Sequence, residues 1–152
     1  MPALELKVPP PAVALVVAIA MGGLAFAAPA SGAPAYRLAL AIALAVVGLA
    51  LAMAGIRSFR KAHTTITPLR PQKASHLVVG GIYRFTRNPM YLGVCTVLLG
   101  WAAFLWSVWT LLGPVVFVLY ITRFQIVPEE RALAALFGSE YAAYKARVRR
   151  WI

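Results

Sequence analysis

Residues 90–127 read MYLGVCTVLLGWAAFLWSVWTLLGPVVFVLYITRFQIV. The only charge in this stretch is Arg123, and Trp106, Ser107 and Val108 interrupt it near the middle. A helix that crosses a bilayer needs about 20 mostly apolar residues. Residues 90–105 and 109–127 therefore read as two spans of a helical hairpin, with tryptophans at its tip where an interface favours them. Met90–Leu105 is short at 16 residues, so that helix starts before Met90 or crosses obliquely. Pro114 is expected to kink the second span.

Two more stretches have the same character. Residues 11–30 carry no charge and are long enough to span. A secretory signal peptide is the rival reading, because small residues at Ala28, Ala30 and Ala33 resemble a cleavage site. The paired charges of Glu5 and Lys7, the prolines at 9–11 and an apolar run longer than a usual signal core favour a span. Residues 38–56 are rich in Ala, Gly and Leu, and small residues let helices approach closely in lipid. Hydrophobic residues make up 62% of the 152-residue chain and charged ones only 12%, so bilayer is the expected solvent. Mean hydropathy is +0.80. The fold class predicted is an all-α integral membrane domain with about four transmembrane helices and a C-terminal amphipathic helical segment.

Residues 57–89 form a polar connection on one side of the membrane. Pro68 and Pro71 argue against a continuous helix there, and TTIT (64–67) and HLVV (76–79) are short β-branched or apolar pieces suited to extended structure. Residues 128–152 make a polar tail. Pro128 fits the first turn of a new helix, and Gly138 can end it with Ser139 capping the next. Leu133, Leu136, Phe137, Tyr141, Tyr144 and Val148 recur near helical spacing, which suits a segment lying on a membrane or packed over the domain. Seven Lys/Arg lie in 57–88 and six from Arg123 onward, whereas the opposite loops hold only Arg37. The positive-inside rule then places both termini, the connection and the tail in the cytoplasm.

The net charge of +11 suits cytoplasmic loops of this kind, and no nucleic-acid partner is expected. Cys95 is the single cysteine, which excludes an intrachain disulfide and a thiolate metal cluster. No GxGxxG or P-loop pattern occurs. Ionisable side chains instead converge on one membrane face. His76, Arg84 and Arg87 precede the third span, and Glu129 and Glu130 follow the fourth. A hairpin brings its open ends together, so these groups are expected to be neighbours. Arginine matches a carboxylate with a two-pronged fork, a glutamate can take an ammonium, and Tyr83, Tyr91 and Trp101 offer flat faces for a ring or a sulfonium. The plainer readings are lipid anchoring by the arginines, complement of a helix N-terminus by the glutamates, and Asn88-Pro89 as cap and first residue of a helix.

The run HLVVGGIYRFTRNPMYLG (76–93), a hydrophobic hairpin, then PEERALAALFGSEYAAYKARVRRW (128–151) resembles the isoprenylcysteine carboxyl methyltransferase and phospholipid methyltransferase superfamily. The likeness covers roughly residues 57–152 and rests on the G-x-Y-R-x-x-R-N-P-M-Y-x-G block, the Glu-Glu pair and the terminal F-G-x-x-Y-x-x-Y-x-x-x-V-x-R-W pattern. The resemblance implies methyl transfer from S-adenosylmethionine, without a metal, to a lipophilic acceptor that comes from the bilayer. It implies a cofactor site made of His76, Gly81, Tyr83, Arg87, Asn88, Pro89, Tyr91, Glu129 and Glu130. Arg87, His76 and Glu130 are the candidate catalytic residues, with Arg87 anchoring the cofactor carboxylate or orienting the acceptor. His76 is the nearby group whose ordinary pKa suits a base. Members that methylate prenylated cysteine usually show Arg-His-Pro, and Asn88 stands in place of that histidine. The acceptor classes implied are an isoprenylcysteine-like carboxylate, a phospholipid amine or another membrane-soluble molecule. The setting implied is a bacterial inner membrane. The Arg-Asn-Pro block also resembles membrane sterol reductases, which leaves an NADPH-dependent reductase as an alternative, beside a non-enzymatic lipid-binding module.

Overall fold

The structure, a computed structural model, describes residues 5–29, 32–62 and 76–152. The expectations for TTIT (64–67), Pro68 and Pro71 lie outside these residues. Among the described residues the chain is all-helical, with α1 (Pro10–Ala27), α2 (Arg37–Lys61), α3 (Pro89–Leu105), α4 (Leu112–Ile121) and α5 (Val127–Arg147). Single 3-10 turns occupy Gly81–Arg84 and Val108–Leu111. Residues 77–79, expected to be extended, form no strand. Three helical runs, Pro10–Ala27, Arg37–Lys61 and Val108–Arg147, are long and apolar enough to cross a membrane, and α3 is a shorter apolar helix of 17 residues.

Prolines set the helix boundaries. Pro10 opens α1 and Pro89 opens α3, positions where the missing N–H would have no intrahelical partner. Pro114 occupies the first turn of α4, just after the 3-10 turn, and not the middle of the span. Pro128 does not begin a separate helix either. Backbone angles stay helical through Ile126 and Val127, and the strain is taken up by a π-helical turn, Thr122–Ile126. The reason is local. Proline at 128 has no N–H for the Phe124 carbonyl and its ring crowds that group, so the helix widens and the Val127 N–H reaches back to Thr122. The Phe124 carbonyl accepts instead from the Leu6 N–H at 3.1 Å.

α3 is the central element. One face packs on α2 through small residues: a Cβ on Gly48 would lie 2.5 Å from the Gly93 carbonyl, and one on Gly100 would lie 2.9 Å from the Ala41 carbonyl. Such close approach is how helices associate in lipid, where burial of apolar surface gives no net drive. The other face meets α1 and α4 in a core of Val13, Val17, Met21, Leu98, Phe117 and Ile121, with Cys95 as partly buried filler against it. Leu15, Val16, Ile19, Val46, Val47, Val115, Val116 and Leu119 are exposed, as suits a lipid-facing surface. At the end bearing Arg37, Trp106 closes α3 in a left-handed conformation (φ 52°), Tyr36 meets its ring edge-on, and Arg37 lies 5.5 Å from the centre of Phe104. This is the aromatic tip expected for the hairpin.

At the opposite end α5 bends where expected, at Gly138 (φ 46°, ψ −118°). The bend folds Tyr141, Tyr144 and Val148 onto Tyr83, with Phe59, Leu133 and Phe137 around them. The tail therefore packs over the domain; Leu136, expected on the same face, is exposed. The chain start is strapped down as well. Glu5 accepts from Arg123 (2.9 Å) and Arg131 (2.6 Å). The hydrogen bond from Arg123, aided by Arg131, holds the Glu5 carboxyl below its ordinary value. A carboxylate with a depressed pKa stabilises the folded state above its unfolded pKa and loses that contribution as pH falls through the folded value. Protection of the Leu6 amide, the slowing of its exchange relative to a free amide at the same pH, is thus expected to fall on acidification below the ordinary carboxylate range, and to be low at neutral pH in Glu5→Gln. Equal protection in that variant would show that Glu5 does not hold the strap.

Candidate functional site

The site lies where the loop before α3, the start of α5 and the last residues of the chain converge. Gly81 takes φ 62° in the 3-10 turn, and its α-carbon faces Ser58 of α2, whose hydroxyl oxygen would be 2.8 Å from any Cβ there. The turn buries Tyr83, whose ring meets Phe59 edge-on and whose carbonyl accepts the Tyr144 hydroxyl at 2.8 Å. Residues 86–88 then run beside the C-terminus. The Arg87 N–H donates to the Arg149 carbonyl (3.1 Å), and the Asn88 amide donates to the Arg150 carbonyl (2.9 Å). Asn88 stands at the N-cap position of α3, but its side chain is spent on this cross-link and not on capping.

Arg87 and Glu130 meet directly at 2.8 Å, with side chains only 8% and 11% exposed. Arg150 completes the cluster with a two-pronged contact to Glu130, Nε to Oε1 at 2.9 Å and a terminal nitrogen to Oε2 at 2.7 Å. These hydrogen bonds raise the Arg150 pKa above its ordinary value. Arg87 also donates to the Lys145 carbonyl at 3.2 Å. Glu130 is therefore held by two guanidiniums, which leaves Glu129 as the glutamate of the pair without a cationic partner among the described residues. Among the described residues, Arg87 Nε is the one buried side-chain nitrogen or oxygen without a hydrogen-bond partner.

Glu129 points elsewhere. Its Oε1 accepts the Tyr91 hydroxyl at 2.6 Å and the Gln125 amide at 2.9 Å. Both donors are neutral, the residue keeps part of its surface open, and no salt bridge reaches it among the described residues. Pro89 is fully buried beneath this network. His76 and Arg84 are exposed, at the start of the loop and in the turn. Trp101 lies ten residues beyond Tyr91, about 15 Å along α3. It stacks on Phe104 and donates to the Ala18 carbonyl, so it offers no wall to this site. Two participants were missed. Arg150 sits in the V-x-R-W pattern that signalled the family but was given no role there, and Gln125 gave no sequence signal because its partner is fixed only by packing. A cleft of about 430 Å³ opens inside the bend of α5 beside Glu130, Tyr141, Lys145 and Arg150.

No cluster of metal-ligating residues occurs among the described residues. What the geometry defines is a polar site at one end of an apolar helical bundle, with paired cations, a second carboxylate free of cationic partners and an unsatisfied guanidinium nitrogen. The chain belongs to the phospholipid methyltransferase family, whose model matches residues 36–140. With its apolar helices, it is a membrane-embedded member of a methyltransferase family. It is 44% identical over 63 residues to an uncharacterised protein of Haemophilus influenzae, a match covering 41% of this chain and all of that one. It is also 43% identical over 67 residues to methanethiol S-methyltransferase 1 of Bradyrhizobium diazoefficiens. That match covers 44% of this chain and spans only 22% of the relative. No solved structure matches.

Proposed function

We propose that the protein transfers a methyl group from S-adenosylmethionine to a lipophilic acceptor at the cytoplasmic face of a bacterial inner membrane, with both termini in the cytoplasm. Family membership carries the reaction class in preference to the reductase and the lipid-binding module. The observation that carries the cofactor is the pair of unmet needs in one site. Arg87 Nε is a buried donor without an acceptor, and Glu129 is a carboxylate held only by neutral donors. A zwitterionic amino-acid end fits both: its carboxylate satisfies the guanidinium, and its ammonium neutralises Glu129. The sulfonium supplies an activated methyl group, so the chain's own task is alignment, which can lower a barrier by ~7–11 kcal/mol in ideal cases.

Arg87 takes the carboxylate and Glu129 the ammonium of the donor's amino-acid end, and Tyr83 and Tyr91 wall the space beside it. The lipophilic acceptor reaches the site sideways from the bilayer. An amine or thiol acceptor loses a proton during the reaction, and His76 is the residue proposed to take it. The family's name supports a phospholipid amine as acceptor, and the Bradyrhizobium relative supports a small thiol. Labelled methyl recovered in the lipid extract identifies the first, and a labelled volatile thioether the second. Arg87→Ala is expected to weaken S-adenosylmethionine binding at least tenfold in calorimetry, because a charge-assisted hydrogen bond is worth roughly 1.5–3 kcal/mol. Its unfolding temperature should fall less than that of a Glu130 variant, since Arg150 still pairs with Glu130. Unchanged affinity would remove Arg87 from the site.

A further inference from the structure

Gln125 has no place in the chemistry described so far, yet it is 2% exposed in a helix whose neighbouring positions face lipid or the core. A buried amide is costly unless its hydrogen bonds are made. Its amide donates to Glu129 Oε1, the oxygen that also takes the Tyr91 hydroxyl. Residues four apart on a regular α-helix drift by about 40° per step. Gln125 lies within the wider π turn Thr122–Ile126, which offsets that drift, so that its amide meets the Glu129 carboxylate four residues on. The consequence is a division between adjacent glutamates. Glu130 turns to Arg87 and Arg150, and Glu129 is pinned by two neutral donors and meets no cation among the described residues.

Resting on the proposed cofactor, we infer that Gln125 is a positioning residue: with Tyr91 it fixes the Glu129 carboxylate as the acceptor for the cationic end of S-adenosylmethionine. Neutral donors suit this task. A cationic partner would hold the carboxylate equally well but would cancel the charge that the ligand needs.

The test uses the full-length protein in detergent or vesicles, with S-adenosylmethionine as the probe. Gln125→Met keeps length and volume but removes the donor. It is expected to raise the KM for S-adenosylmethionine about tenfold while kcat at saturating cofactor stays near wild type. Tyr91→Phe, which removes the other donor on the same oxygen, should show the same split. In a Glu129→Gln background, Gln125→Met should add no further change in KM, because the group it positions has lost its charge. Equal KM in Gln125→Met and wild type, an undiminished effect in the Glu129→Gln background, or a fall in kcat alone would overturn the assignment. If wild-type protein binds no S-adenosylmethionine, the cofactor reading itself fails, and that result is visible before any variant is made.

Discussion

Glu130→Ala is expected to cost about 3–5 kcal/mol of stability, a large part of what holds a domain of this size together. The carboxylate joins three parts of the chain that share no local sequence: Arg87 before α3, Glu130 in the first turn of α5, and Arg150 at the C-terminus. Its removal leaves two guanidiniums facing each other, one of them 8% exposed, with nothing to offset their repulsion or desolvation. The unfolding temperature should fall by on the order of 10 °C. Glu130→Gln, which retains one acceptor oxygen, should fall between the two. The order predicted is wild type, Arg87→Ala, Glu130→Gln, Glu130→Ala, from most to least stable. A Glu130→Ala protein that unfolds with wild type in a detergent thermal scan would mean that the cluster is not the tie that holds the C-terminus to the bundle.

The second large effect lies in the membrane. Gly93→Leu is expected to prevent α2 and α3 from packing. Any Cβ at 93 meets the Gly48 carbonyl, and the Ala52 amide nitrogen would be 2.8 Å away. Both obstacles are backbone, so no change of rotamer relieves them. Overpacking of this kind typically costs 1–3 kcal/mol where side chains can adjust, and about 3 kcal/mol or more is expected where they cannot. Since α3 also carries Tyr91, a displaced α3 should abolish cofactor binding along with stability. Gly80→Ala is the control, because nothing lies within 4 Å of its added methyl. The readout is the yield of monodisperse protein together with its unfolding temperature. Wild-type behaviour of Gly93→Leu would contradict the close α2–α3 contact.

Much of this architecture was legible in the residues. Apolar runs near bilayer length marked the spans, and the Trp106–Trp109 tip and the bend at Gly138 fell where turn chemistry put them. The meeting of Arg87 with one of the two glutamates, Glu130, followed from hairpin topology. Less legible was anything that depended on what a proline does in context. Pro114 and Pro128 have the same covalent restriction, yet one sits harmlessly in a first turn and the other widens a continuous helix. The two glutamates also could not be told apart from sequence. Adjacent residues differ by about 100° on a helix, and only the positions of Arg150, Tyr91 and Gln125 decide which carboxylate is neutralised.

The most direct measurement supplies membranes containing the protein with S-adenosylmethionine labelled in its methyl group, and follows the label into lipid extracts and volatile thioethers. Wild-type membranes should transfer label to one of these fractions, and Glu129→Gln membranes carrying the same amount of folded protein should lose most of that transfer. Label absent from both fractions with wild type, or transferred equally well by the variant, would contradict the account of a methyl donor held by its charged end between Arg87 and Glu129.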